Sequence, residues 1–116
     1  MDTAQLLAFV LDKIDDLKAR DVQNFDVSST SSITDCMVIC SGNSKKHVQS
    51  IAENVIVEMK KIDLPLLGAE GMDTGEWVLV DLGDVVLHVM QEGTRDFYQL
   101  EKLWQSTNDN SPSTEQ

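Results

Sequence analysis

Two cysteines, two histidines and a set of carboxylates are the residues of this chain whose types could do chemistry, and their spacing limits what that chemistry can be. Cys36 and Cys40 lie four residues apart in an apolar, β-branched run. In a strand rising roughly 3.3 Å per residue their Cα atoms stand about 13 Å apart. A disulfide needs about 7 Å or less, and a shared zinc needs both sulfurs at about 2.3 Å. Neither fits, so His47 and His88 do not complete a four-ligand metal set with them. Thiol catalysis would require Cys36 or Cys40 beside His47 and an Asp, whereas buried structural cysteines are the commoner case.

The other chemistries fare no better. The strand, turn and helix from Val38 to Lys46 resemble a phosphate cradle, because a helix N-terminus offers free amides to an anion. The Walker spacing is absent, however, and Gly42 and Ser44 are sufficiently explained as turn and helix cap. Two-metal nucleotidyl transfer needs clustered carboxylates at alternate strand positions. No such pair lies in the strands, and Asp81 and Asp84 flank a turn at odd spacing, which points them to opposite faces. His88 and Asp81 share a face as a base and its orienter would, but no nucleophile joins them. No catalytic residue, metal or cofactor is expected.

The elements that position these residues follow from hydrophobic period. At 116 residues the chain suits one domain with one core. Leu6, Leu7, Val10, Ile14 and Leu17 predict an amphipathic helix over 3–20, behind a cap at Asp2 or Thr3. Val22 to Val27 is a short strand, and Ile33 to Cys40 a longer one ending at Ser41-Gly42-Asn43. Ser44 is placed to cap a helix over 45–62, whose stripe Val48, Ile51, Ala52, Val55, Ile56, Met59 and Ile62 is the clearest in the chain. Leu64 to Leu67 is a strand weakened by Pro65, and Gly68 to Glu76 a loop. Thr94 is placed to cap a last short helix that turns Phe97, Leu100 and Trp104 inward. Residues 105–116 are polar and expected to be disordered, leaving 1–104 as the domain. The fold class is α/β, a mixed β-sheet with helices packed on it.

Two strands, Trp77 to Leu82 and Val85 to Met90, are joined by Gly83-Asp84, a two-residue hairpin signature. Such a turn fixes the pairing, from Leu82 opposite Val85 to Trp77 opposite Met90, and alternation then sorts the side chains. Leu82, Val85, Val80, Leu87, Val78 and Val89 share an aliphatic face for the core. Trp77, Leu79, Asp81, Val86, His88 and Met90 share the other, where apolar bulk is mixed with a carboxylate and an imidazole, and this face is expected to be partly wet.

Charge says what could meet it. Nine Lys and Arg against twenty Asp and Glu leave a net charge of -11, which disfavours binding to nucleic-acid phosphates or anionic lipid. Seven carboxylates (Asp63, Glu70, Asp73, Glu76, Asp81, Asp84 and Glu92) and no Lys or Arg fall between Ile62 and Thr94. That concentration favours a basic partner. No run of 18 apolar residues occurs, the N-terminus lacks a basic or Arg-rich leader pattern, and unpaired thiols suit a reducing cytoplasm.

The block from Gly75 to Met90, followed by Arg95, Phe97-Tyr98, Leu100-Glu101 and Leu103-Trp104, strongly resembles the ribosomal silencing factor, or Iojap-like, family. The stretch Ser32 to Ser44 agrees with it, and the match covers roughly residues 4–104. Cys36-Met37 departs from the aromatics common there. The resemblance implies a nucleotidyltransferase-like fold without catalytic carboxylates, and a bacterial cytoplasmic repressor of translation under nutrient limitation. It further implies binding to the fourteenth protein of the large ribosomal subunit, so that the small subunit cannot join. On that reading Trp77, Asp81, Leu82, Val86, His88 and Met90 contact the ribosomal protein, with Glu92, Arg95 and Tyr98 at the margin. Dimerisation through the same face, or burial of Trp77 as a second layer of core, are the alternatives.

Overall fold

The computed structural model describes the backbone of residues 1–32 and 34–98, with side chains through Arg95. Helix α1 (Thr3–Asp16) opens on a capping box. The Asp2 side chain accepts from the Gln5 amide at 2.8 Å, and the Gln5 side chain accepts from the Asp2 amide at 2.9 Å. The helix stops short of the predicted residue 20. Lys18 takes a left-handed φ of 60°, and the Ala19 amide turns back to the Ile14 carbonyl at 3.1 Å. Strand β1 (Arg20–Asp26) begins at once.

Strand β2 (Cys36–Gly42) is shifted along the chain from the expected Ile33–Cys40 and runs on through Ser41 and Gly42, whereas helix α2 (Lys45–Lys61) lies close to its expected bounds. Ser44 caps α2 by accepting from the His47 amide at 3.0 Å. Ser44→Ala is expected to lower unfolding free energy by about 1 kcal/mol, read as a lower urea midpoint with an unchanged slope.

The segment read as a loop contains strand β3 (Gly68–Glu70), while the Leu64–Leu67 stretch read as a strand is not one. Strand β4 (Trp77–Asp81) and strand β5 (Val85–Gln91) form the predicted hairpin in the predicted register, Trp77 opposite Met90 and Asp81 opposite Val86. Gly83 carries a φ of 88°, the conformation the turn demands of its first central residue. Helix α3 (Glu92–Tyr98) starts directly from β5, two residues before the expected cap at Thr94. The inward placement of Phe97, Leu100 and Trp104, and the disorder expected of 105–116, fall outside the described residues and side chains.

Among the described residues five strands form one mixed sheet in the order β1-β2-β5-β4-β3. Only β2 and β5 run parallel; the other neighbours are antiparallel. Helices α1 and α2 cover one face, where Leu6, Val10, Ile14, Val48, Ile51, Val55 and Met59 meet Val38, Val78, Val80, Leu82, Val85, Leu87 and Val89. Each fully buried aliphatic side chain there contributes roughly 1.5–3 kcal/mol. Asn54 ties the two helices by donating to the Lys13 carbonyl at 2.8 Å. The other face holds a smaller cluster of Val27, Met37, Ile39 and Met90, flanked by Phe25 and Trp77.

Candidate functional site

The residues first considered for chemistry are occupied structurally. Both cysteines are free thiols. Burial pushes the Cys40 thiol up to about 12 and raises that of Cys36, so both are held as thiols rather than as nucleophilic thiolates. His47 uses both ring nitrogens. Nδ1 accepts from the Asn43 amide at 2.9 Å, and Nε2 meets the Leu17 carbonyl at 2.7 Å, which requires the proton on Nε2. The ring therefore pins the start of α2 to the end of α1. A Cβ on Gly42 would lie 2.8 Å from a Val48 methyl, so this glycine serves a close approach of turn and helix. Asp81 and Asp84 do diverge. Asp81 accepts from the Gly83 amide at 3.0 Å, whereas Asp84 and Asp35 both lie 3.3 Å from the Thr3 hydroxyl at the start of α1. Among the described residues no group of three or more potential ligands is placed to hold a metal ion.

What remains is the sheet face away from α1 and α2. Its β4 and β3 side presents Trp77, Leu79 and Asp81, all partly exposed, with Glu70 exposed beside them and Val86 partly exposed on β5. Glu70, Gly71, Trp77 and Leu79 line a shallow recess of about 270 Å³. Gly71, at a φ of 87°, lies so close to the Trp77 carbonyl that a Cβ there would collide with it, and this packing sets the entry of the chain into β4. All seven carboxylates between Ile62 and Thr94 are exposed except Asp81, which is partly so. On the face itself Glu70 and Asp81 border the apolar strip, whereas Asp84 lies at the start of α1 and Glu92 pairs with Arg20.

Four of the expected contact residues do not reach the surface. Leu82 is 6% exposed and belongs to the core under the helices, where strand alternation places it beside Val85. Met90 is fully buried: it lies between Ser41 on β2 and Trp77 on β4 and belongs to the cluster that includes Ile39, Met37 and Val27. His88 is 5% exposed, and burial lowers its pKa to about 4. Its Nδ1 accepts from the indole N–H of Trp77 at 2.9 Å. Arg95 is 6% exposed and donates to the Ser41 hydroxyl at 2.9 Å and the Asp21 carbonyl at 2.7 Å. It moors α3 to β2 and β1 rather than standing at a margin. Glu92 is exposed and pairs with Arg20 at 3.2 Å. Tyr98 ends α3, and its side chain lies outside those described.

Leu79 and Glu70 were not among the expected contacts. Alternation alone puts Leu79 on the strip with Trp77. Glu70 carries no sequence signal, since Gly-Ala-Glu has nothing of a strand about it and only the pairing of β3 with β4 brings it there.

The family model described as "Ribosomal silencing factor during starvation" matches residues 1–116. A ribosomal silencing factor of Haemophilus influenzae is 46% identical over 99 residues, 85% of this chain and 97% of that one. The mouse protein "Mitochondrial assembly of ribosomal large subunit protein 1" is 36% identical over 89 residues, 74% of this chain and 39% of its own length. A crystal structure from Chromobacterium violaceum superposes with a TM-score of 0.87 at 36% identity, covering 90% of this chain and 87% of the other.

Proposed function

The chain belongs to the ribosomal silencing factor family, a regulatory family that acts on translation at the ribosome, and from that premise we propose that it works by docking on the large subunit and keeping the small subunit from joining. The docking surface is the open sheet face, with Trp77, Leu79 and Val86 as its apolar strip and Glu70 and Asp81 beside them. Glu92 and Tyr98 stand at its margin. The partner is the fourteenth protein of the large subunit, met through a basic patch. The name of the mouse relative, which refers to the large subunit, favours that subunit over the small one.

The carrying observation is the partly exposed Trp77 set among carboxylates in a stretch without Lys or Arg. An acidic protein beside rRNA is repelled by phosphate, so its foothold has to be basic protein, and the same charge steers the encounter. Occlusion by bulk needs no catalytic group. Aromatic anchors surrounded by polar residues are where interface energy concentrates. A homodimer formed through this face would compete with docking, and light scattering across a concentration series reads that competition.

The test is a sedimentation profile of bacterial ribosomes with and without excess purified protein. Joined ribosomes are expected to give way to free subunits, with the protein travelling in the large-subunit fractions. An unchanged profile, with the protein left at the top of the gradient, would refute the reading.

A further inference from the structure

We propose that His88 is a positioning residue for the docking surface: seated beneath the face, its imidazole holds the indole of Trp77 in one orientation, so that the partner meets the carbon edge of that ring and not its N–H. This rests on the docking role given above to Trp77.

Sequence and register make the contact. Trp77 pairs with Met90 and Leu79 with His88, so Trp77 and His88 are diagonal neighbours on one face, within reach for an aromatic side chain. The ring centroids are 5.9 Å apart with the planes at 47°, which is no stacking arrangement. The specific link is the hydrogen bond from indole N–H to Nδ1 at 2.9 Å. An indole N–H can only donate, and Nδ1 can accept only while unprotonated, so the neutral ring carries its proton on Nε2.

The two partners differ in rigidity. Strand β5 lies inside the sheet, with β2 on one side and β4 on the other, and His88 within it is almost wholly buried. Trp77 is the first residue of β4, follows the 71–76 loop, and is partly exposed. A fixed acceptor therefore adds a directional constraint to a side chain that turns about two rotatable bonds. Holding an anchor in its bound orientation raises affinity by removing an ordering cost from association.

His88→Leu removes the acceptor at similar volume, and His88→Asn keeps an oxygen near the Nδ1 position. Affinity for isolated large subunits and the Trp77 indole N–H resonance, identified by its absence in Trp77→Phe, are the readouts. His88→Leu is expected to weaken binding about 10-fold and to shift that resonance with faster solvent exchange, while His88→Asn stays within about threefold of the parent. In a Trp77→Phe background, which has no N–H to hold, His88→Leu should cost no more than about twofold further. Should His88→Leu fail to fold, 3-benzothienylalanine at position 77 replaces the N–H by sulfur in a ring of the same shape and leaves His88 untouched. A loss like that expected of His88→Leu supports the inference. Parent-like binding by His88→Leu or by the benzothienyl protein, while Trp77→Ala binds weakly, overturns the positioning role and leaves the docking role standing. A parent protein that does not bind large subunits overturns both.

Discussion

Trp77→Ala is expected to weaken binding to the large ribosomal subunit by roughly 30- to 1000-fold, the equivalent of about 2 to 4 kcal/mol for a central aromatic anchor. Trp77 is both partly exposed and fixed from below, and an anchor needs both. An indole lying wholly inside would offer the partner nothing, and one free to rotate would pay an ordering cost on every encounter. Leu79 and Val86 flank it on the same strip, but their smaller side chains carry less contact area, and Leu79→Ala should weaken binding by less. The measurement is co-pelleting with purified large subunits at fixed ionic strength, since a net charge of -11 makes the result depend on salt. Circular dichroism has to show that the variant keeps its fold, because Trp77 also packs against the Val27, Met37, Ile39 and Met90 cluster. Binding at parental strength by a folded variant would return Trp77 to a packing role and move the docking surface elsewhere.

Where local chemistry determines structure, this sequence could be read closely. A two-residue Gly83-Asp84 turn leaves one register for the hairpin, and that register forms. The apolar stripe of α2 and the Ser44 cap bound a helix that ends within a residue of its expected limit. The errors share another origin. Periodicity carried α1 to residue 20, yet the chain turns at Lys18 without a Gly or Pro to announce it. The β3 segment is a strand only because β4 lies alongside it.

Burial on the open face was the least legible feature, because it depends on strands distant in sequence. Alternation groups His88 and Met90 with Trp77 and Asp81 correctly, but says nothing of what lies beside them. Met37 and Ile39 pair across from Val86 and His88 through the parallel β2-β5 contact, and the centre of the face closes while its β4 and β3 side stays open. Arg95 teaches the same lesson. An arginine after the last strand reads as a surface charge, yet its guanidinium is buried against Ser41, 54 residues away in sequence. For Leu82 alternation alone suffices: it falls on the face of Val80 and Val78, which the structure places in the core under the helices.

The buried His88 makes stability depend on pH in a window where an ordinary surface histidine would have little effect. Its pKa falls from 6.5 to about 4 because burial penalises the charged ring. Between those values the unfolded chain binds a proton that the folded chain excludes, so acid favours unfolding. The contribution of the neutral ring is fully present above pH 6.5 and is lost as pH falls towards 4. At about 1.4 kcal/mol per pH unit the loss approaches 3 kcal/mol. Asp26 and Glu58 are held below their usual values, by hydrogen bonds from Ser28 and Lys61 respectively, and also lose stability in acid. Their titration begins lower, near the ordinary carboxylate range, and is common to parent and variant. Urea unfolding at pH 7.5, 6.0 and 4.5 should therefore show a steeper decline for the parent than for His88→Asn, most of the difference arising between pH 6.5 and 4.5. Parallel curves would mean that His88 titrates alike in the folded and unfolded chains, and that burial does not hold its ring neutral in acid. In the folded chain the ring stays neutral until the pH nears 4, so the indole remains held and large-subunit binding should not lose this contact across the range in which stability declines.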